Sequence, residues 1–273
     1  MMVEALVYFF VPALVGVLIG IASGLLGIGG GTVMVPIFRL AFGMSATMST
    51  ATSLFAIIPT SISGAISHVK GKTCIPALGI AAGLGGACLS PVGVWLAQLS
   101  PDWLVMLAAA LIIGYSAINM FKKAFKVSRA GQPATGGDAS ASSDDSPLSR
   151  KQLLQGAAIG LVAGLASGYV GVGGGFIMVP LMLSIIGIPM RKASGTSLIA
   201  VMILAIPGVI EQGIIGNINY LAGIAIVIGT IPGAVIGARL VTKVPERTLR
   251  LLFGCFLIVA AVMLVLNEVG IFG

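Results

Sequence analysis

Slid along itself by 144 residues, the sequence matches itself without a gap. Residues 16–54 read GVLIGIASGLLGIGGGTVMVPIFRLAFGMSATMSTATSL, residues 160–198 read GLVAGLASGYVGVGGGFIMVPLMLSIIGIPMRKASGTSL, and 16 of these 39 positions are identical. The same offset pairs Gly64 with Gly208, Gly79 with Gly223, Gly93 with Gly237 and Pro101 with Pro245. The chain is one unit used twice, so any fold it adopts must place two copies of one pattern. The natural division is a first repeat over 1–121, a linker over 122–152 and a second repeat over 153–273. The linker is the one long polar stretch, and its middle, 131–147, is rich in Gly, Ala, Ser and Asp, as a flexible connector is.

Each repeat is too apolar for water. Only 8% of the 273 residues are charged, against about 25% in a soluble domain. That excludes a soluble globular enzyme, and the 58% hydrophobic content excludes a disordered chain. The apolar stretches are 5–26, 32–42, 46–67, 74–99 and 103–121, then 153–170, 176–187, 193–214, 220–242 and 247–267. They are long and do not alternate, which points to membrane helices rather than barrel strands. A full span takes about 20 residues; the second stretch of each half is too short and follows a glycine cluster. The first two stretches of each half therefore read as a broken helix or a hairpin that turns inside the protein. The N-terminus, Met1-Met2-Val3-Glu4, lacks a basic segment, so no cleaved signal peptide is expected. Cys74, Cys88 and Cys255 show no metal-ligand spacing, and neither a metal nor a cofactor is expected.

Charge placement sets an expected topology. Basic residues collect in cytoplasmic loops, and the linker region carries Lys122, Lys123, Lys126, Arg129, Arg150 and Lys151. With five legs per half, the loops bearing Lys70 and Lys72, Arg191 and Lys192, and Lys243, Arg247 and Arg250 also fall inside, and 14 of 15 basic residues lie on or near that side. Matched loops alternate: the Lys70/Lys72 loop corresponds to the uncharged 215–219 loop, and the Arg191/Lys192 loop to uncharged 45–48. Odd crossing number with alternating charge predicts an inverted repeat, the architecture of many secondary transporters, whose site lies between the repeats near the midplane. The expected fold is thus an all-α integral membrane protein of two inverted-topology repeats, each a Gly-broken helix or hairpin plus three membrane-spanning helices. The linker is expected in the cytoplasm of a multi-pass plasma-membrane protein, with both termini outside. The net charge of +7 follows from this bias and calls for no nucleic acid.

Three doubled motifs stand out. Gly27, Gly29, Gly30 and Gly31 recur as Gly171, Gly173, Gly174 and Gly175. The flanks are membrane helices, not the strand and distant acid of a dinucleotide loop. Such a cluster serves as a tight hairpin turn, or as an anion site in which bare backbone N–H groups precede a short helix. Two breaks at matched positions favour the second, because unwound backbone at membrane depth needs protein or a wet cavity around it. Val35-Pro36 and Val179-Pro180 follow, proline costing little in the first turns of a short helix. Thr52-Ser53 recurs as Thr196-Ser197; these hydroxyls serve either helix–helix bonding or a substrate oxyanion. Gly16, Gly20 and Gly24, matched by Gly160, Gly164 and Gly168, line one helix face and indicate close packing.

Polar and charged residues within membrane segments are functional candidates. His68 pairs at the 144 offset with Gln212, beside Glu211. Each is an interfacial residue or a gate or coupling group; Arg39, late in a short helix, snorkels outward or attracts anions.

The doubled Gly-x-Gly-Gly-Gly, with Val-Pro shortly after and then Gly and Thr-Ser-Leu, resembles the sulfite exporter TauE/SafE family. The resemblance covers nearly the whole chain outside the linker. It implies a transporter, not an enzyme, for a small sulfur-containing anion such as sulfite, thiosulfate or an organosulfonate. The candidate substrate-binding residues are Gly29, Gly30, Gly31, Thr52, Ser53, Gly173, Gly174, Gly175, Thr196 and Ser197; His68, Glu211, Gln212 and Arg39 are candidates for gating or coupling. Alternating access between the repeats is the expected mechanism, with coupling to H⁺ or Na⁺ left open, and a small-anion channel of the same architecture is the alternative. The sequence sets no oligomeric state.

Overall fold

A computed structural model describes residues 2–129 and 149–268. The described residues are helical, without strands. The first half comprises α1 (Met2–Leu26), α2 (Gly31–Phe42), α3 (Ala46–Lys70), α4 (Pro76–Leu99) and α5 (Asp102–Arg129). The second comprises α6 (Arg150–Val170), α7 (Gly175–Leu181, continued by a π-helical turn over Met182–Ile186), α8 (Met190–Ile215), α9 (Tyr220–Leu240) and α10 (Glu246–Glu268). Six of these, α3, α4, α5, α6, α8 and α9, are long and apolar enough to cross a membrane. Their outward faces carry bare apolar side chains, with Leu111, Tyr115 and Ile214 each more than 60% exposed. In water such surface would aggregate; against lipid tails it is the ordinary solvent-facing side. The chain is a multi-pass membrane protein.

Each half opens with a hairpin. α1 ends at residue 26, the chain reverses through glycines in the left-handed region, and the 12-residue α2 turns back before α3 begins. At 1.5 Å per residue α2 is about 18 Å long, too short to span. α6 and α7 repeat the plan. Pro36 and Pro180 lie at the sixth residue of α2 and α7, in the second turn. Each therefore removes one helical hydrogen bond, leaving the carbonyls of Thr32 and Phe176 without their usual donors. The outcome differs between halves: α2 stays α-helical to Phe42, whereas α7 widens into the π turn directly after Pro180. The helix–linker boundary also shifts. α5 runs on to Arg129, eight residues past 121, because 122–129 contains neither Gly nor Pro. The 131–147 segment lies outside the described residues.

The halves interlock by exchanging helices. α1 packs along α9 and α6 along α4, the two largest helix pairs of the molecule. A methyl group built on Gly16, Gly20 or Gly24 would collide with the carbonyl oxygens of Ile226, Thr230 and Ala234 in turn. In the other pair Gly160, Gly164 and Gly168 abut the carbonyls of Ala82, Gly86 and Ser90. Both residue series ascend together, so each pair is parallel, held by backbone-to-backbone packing that any side chain would block. α3 also packs on α9, with the Thr60 and Thr230 hydroxyls bonded at 2.5 Å, and α8 packs on α4. α3 and α8, the matched helices of the two halves, run in opposite order: Gly64 lies by Leu198 and Gly208 by Leu54.

These contacts sort the helix ends. At one end Gly156 near the start of α6 meets Leu78, Gly195 near the start of α8 meets His68 and Thr73, and Arg191 donates to the Val244 carbonyl at 2.9 Å. At the other, Asn219 meets Thr52 and Asp102 meets Ala46. The first end gathers Lys70, Lys72, Arg150, Lys151, Arg191, Lys192 and Lys243.

Candidate functional site

The two hairpin turns meet in the middle of the protein. Residues 27–31 and 171–175 are all buried. Gly30 and Gly174 cap α2 and α7 at φ +86° and +66°, a left-handed conformation that glycine adopts without strain. Neither cap supplies a side-chain hydrogen bond to the helix start. The breaks touch: a methyl on Gly31 would stand 2.6 Å from the Val172 carbonyl oxygen, and one on Gly175 would stand 2.5 Å from the Gly27 carbonyl oxygen. Two unwound backbones thus run back to back with no side chains between them.

Side chains from α3 and α8 close the space. Ile57 lies against Gly29, Gly31 and Gly173, and Val201, its match at the 144 offset, lies against Gly29. Both are fully buried. Around them stand the hydroxyls of Ser23, Thr32, Ser61 and Ser167, each fully buried and without a hydrogen-bond partner, and Ser53, one turn before Ile57 on α3, is likewise buried and unpartnered. Ser61 faces Gly29, Ser23 lies beside Gly30, Ser167 lies beside Gly174, and Thr32 sits in the first turn of α2. A buried polar group left unpaired costs about 1–3 kcal/mol, and most buried polar groups in folded proteins are paired. A set of such hydroxyls around two unwound helix starts is a place that gains from binding something polar. The two halves differ here: Thr32 and Ser61 correspond to Phe176 and Ala205, so most of the unpaired hydroxyls lie on the first half's side.

The Thr-Ser pairs separate into two roles. The Ser197 hydroxyl sits at the first break, 2.6 Å from the Gly27 carbonyl and 2.9 Å from that of Ser194, and donates to one of them. Ser53, its match, is buried without a partner. Thr52 and Thr196 point elsewhere. Thr52 accepts from the backbone N–H of Asn219 at 3.0 Å, and Thr196 accepts from that of Ile75 at 2.9 Å. Each threonine therefore fastens the loop that starts α9 or α4, and the structure does not bring it to the breaks.

The gating candidates are also spread out. His68 is fully buried at the end of α3. Its Nε2 donates to the Gly24 carbonyl at 2.7 Å, and Nδ1 lies 2.7 Å from the Thr73 hydroxyl. Gln212 repeats the pattern with Asn217, whose amide donates to its side-chain oxygen at 2.8 Å. Both residues lock the turn that follows their helix. Glu211 stands beside Gln212, with Oε2 buried and without a hydrogen-bond partner. Arg39 is half-buried in the last turn of α2, away from the turn locked by His68.

Two pairs escaped the sequence reading. Ile57 and Val201 plug the breaks, and each follows its motif serine by four residues, hence on the same helix face. Asp102 and Glu246, also 144 apart, cap α3 and α8. Asp102 accepts from the Ala46 N–H at 3.1 Å, and Glu246 from that of Met190 at 3.2 Å. The offset would have exposed the acidic pair, Asp102 and Glu246. No cluster of three or more His, Cys, Asp or Glu suited to a metal occurs among the described residues.

Comparison with known proteins places the chain among membrane transporters. Residues 12–264 match the profile of the sulfite exporter TauE/SafE family. The chain is 27% identical to the probable membrane transporter protein YunE of Bacillus subtilis, covering 97% of this chain and 99% of that one. It is 28% identical to the probable membrane transporter protein YdhB of the same organism over 87% and 92% of the two chains. A probable membrane transporter protein of Haemophilus influenzae is 30% identical over 93% and 97%. No solved structure matches the chain.

Proposed function

The chain belongs to the sulfite exporter TauE/SafE family, and on that premise we propose that it is a secondary transporter moving a small sulfur-containing anion across the plasma membrane. Sulfite, thiosulfate and organosulfonates are the candidate substrates. The carrying observation is the pair of touching glycine breaks ringed by unpaired, buried hydroxyls. An oxyanion needs donors, and a membrane interior disfavours permanent charge; neutral N–H and O–H groups at helix starts meet both demands. Gly29, Gly30, Gly31, Gly173, Gly174 and Gly175 supply bare backbone. Ser53 and Ser197 are the motif hydroxyls nearest in role, joined by Ser23, Thr32 and Ser61.

The opposite order of α3 and α8, together with the exchanged pairs α1·α9 and α6·α4, supports an inverted repeat. In that reading the basic end and the linker face the cytoplasm and both termini lie outside. The full burial of the breaks fits an occluded state of an alternating-access cycle better than an open pore. H⁺ or Na⁺ would drive the cycle.

Proteoliposome flux tests the reading. Labelled sulfite or taurine uptake should saturate, respond to an imposed H⁺ or Na⁺ gradient, and weaken about 10- to 100-fold in apparent affinity for Ser53→Ala or Ser61→Ala, since a hydrogen bond to a charged group contributes about 1.5–3 kcal/mol. The lipid-facing Leu111→Ala serves as control. Flux that never saturates would favour a channel. Unchanged affinity in both serine variants would remove the breaks as the site.

A further inference from the structure

A second binding feature lies outside the central site. α3 and α9 run side by side, and between their final turns opens a cavity of about 810 Å³ on the outer surface. That is within the 300–1,000 Å³ common for small-molecule sites. Its deep part is apolar, lined by Pro59, Ile62, Ile66, Ile231 and Val235. Ser63 seals the floor by donating to the Ile231 carbonyl at 2.8 Å. Its mouth carries Lys70 and Arg239. Neither cation has an ion-pair partner among the described residues.

We propose that this groove holds one anionic phospholipid, with the phosphodiester between Lys70 and Arg239 and an acyl chain along the isoleucine floor. Three observations single out that occupant. First, the groove faces lipid: Ile62, Ile66 and Ile231 are 38%, 50% and 39% exposed on spanning helices. Second, its length fits one leaflet. From Pro59 to Lys70 the helix rises about 16 Å, half of a hydrocarbon core about 30 Å thick. Third, the charge is particular to this place. At the 144 offset Lys70 corresponds to Ile214 and Arg239 to Trp95, so the matched positions at the opposite end carry no cation. Basic pockets between membrane helices are suited to lipid phosphates, each cation adding attraction near the surface. The position suggests a purpose: a lipid wedged between α3 and α9 would bear directly on the Thr60–Thr230 contact that joins the two halves there.

Native mass spectrometry of the whole protein, released from nanodiscs of mixed phosphatidylglycerol and phosphatidylcholine, tests this. Wild type should retain phosphatidylglycerol at least tenfold over phosphatidylcholine. Lys70→Gln/Arg239→Gln should lose about thirty-fold in phosphatidylglycerol retention, from about five- to sixfold of attraction per cation. Ile66→Trp, which fills the groove but keeps both charges, should also lose it. All three substituted positions are exposed, and wild-type melting in pure phosphatidylcholine verifies that the variants fold. Equal retention of the two lipids by wild type, or retention unaltered in both variants, overturns the proposal. So does a Lys70/Arg239-dependent thermal shift with inorganic phosphate equal to that with phosphatidylglycerol, which would mark a free-anion site.

Discussion

His68→Ala and His68→Gln together separate two roles for one residue. The imidazole is fully buried and joins three parts of the chain: α3, the Gly24 carbonyl near the end of α1, and Thr73 in the following turn. A carbonyl can only accept, so Nε2 carries the proton and donates to Gly24. Alanine removes both bonds and strands the Gly24 carbonyl. A net hydrogen bond contributes about 0.5–1.5 kcal/mol and a stranded buried group costs about 1–3 kcal/mol, so His68→Ala should lose about 2–4 kcal/mol. Glutamine is what the second half carries at the matched position, where Gln212 holds Asn217. His68→Gln should therefore recover most of that loss. Equilibrium unfolding in mixed SDS micelles reads the stability, and proteoliposome flux across a pH series reads the function. If His68→Ala unfolds within 0.5 kcal/mol of wild type, the latch argument fails. If His68→Gln is stable yet loses the pH response of transport, the imidazole titrates in the cycle and is more than a latch.

Other outcomes follow from the packing. Gly24→Leu and Gly168→Leu each force a side chain into a facing backbone carbonyl, so neither should yield monodisperse protein on size-exclusion chromatography, whereas Gly114→Leu, where a side chain meets open space, should. Thr52→Val and Thr196→Val remove acceptors for the Asn219 and Ile75 N–H groups. Each should lower unfolding free energy by about 1–2 kcal/mol with substrate affinity unchanged within twofold, and a large affinity change would return the threonines to the site. Thr60→Val removes the buried Thr60–Thr230 bond but leaves the Thr230 hydroxyl the Val227 carbonyl at 3.3 Å, so it should cost about 0.5–1.5 kcal/mol, with Thr230→Val adding less on that background than alone; thermal unfolding decides it.

Much of the helical plan was readable because apolar run length sets it. The short second stretch, the glycine reversal and the three helices that follow in each half start where the runs put them, within a few residues; of those helices α10 is not among the six that, over the described residues, are long and apolar enough to cross a membrane. The ends that moved, at Arg129 and around Pro180, depend on which carbonyls go unpaired, which composition does not report. The candidate site was readable in part. Glycines at the breaks were visible as a doubled pattern. Thr52 and Ser53 were grouped because they adjoin in sequence, yet adjacent helical residues face different ways, and of the four motif hydroxyls the one seen in contact with a break is that of Ser197. Ile57 escaped because an isoleucine in an apolar run carries no signal without knowledge of what it faces. His68 looked interfacial by position. It is buried because the start of α8 folds over it, with Gly195 against the ring, and that contact joins residues 127 apart.

The crossed helix pairs also set a timetable for biogenesis. α1 emerges well before the surface its glycines need, which is on α9 and begins at Tyr220. About 200 residues must be made in between, or roughly 10–40 s at 5–20 residues per second. During that wait α1 and its short return helix sit in the bilayer with unwound backbone uncovered, a costly state in hydrocarbon. The first half is thus no independent folding unit: it must be held, by the insertion machinery or by lipid, until its counterpart arrives. Co-expressing the chain as two pieces cut within 130–148 should rebuild it, while either piece alone should be degraded.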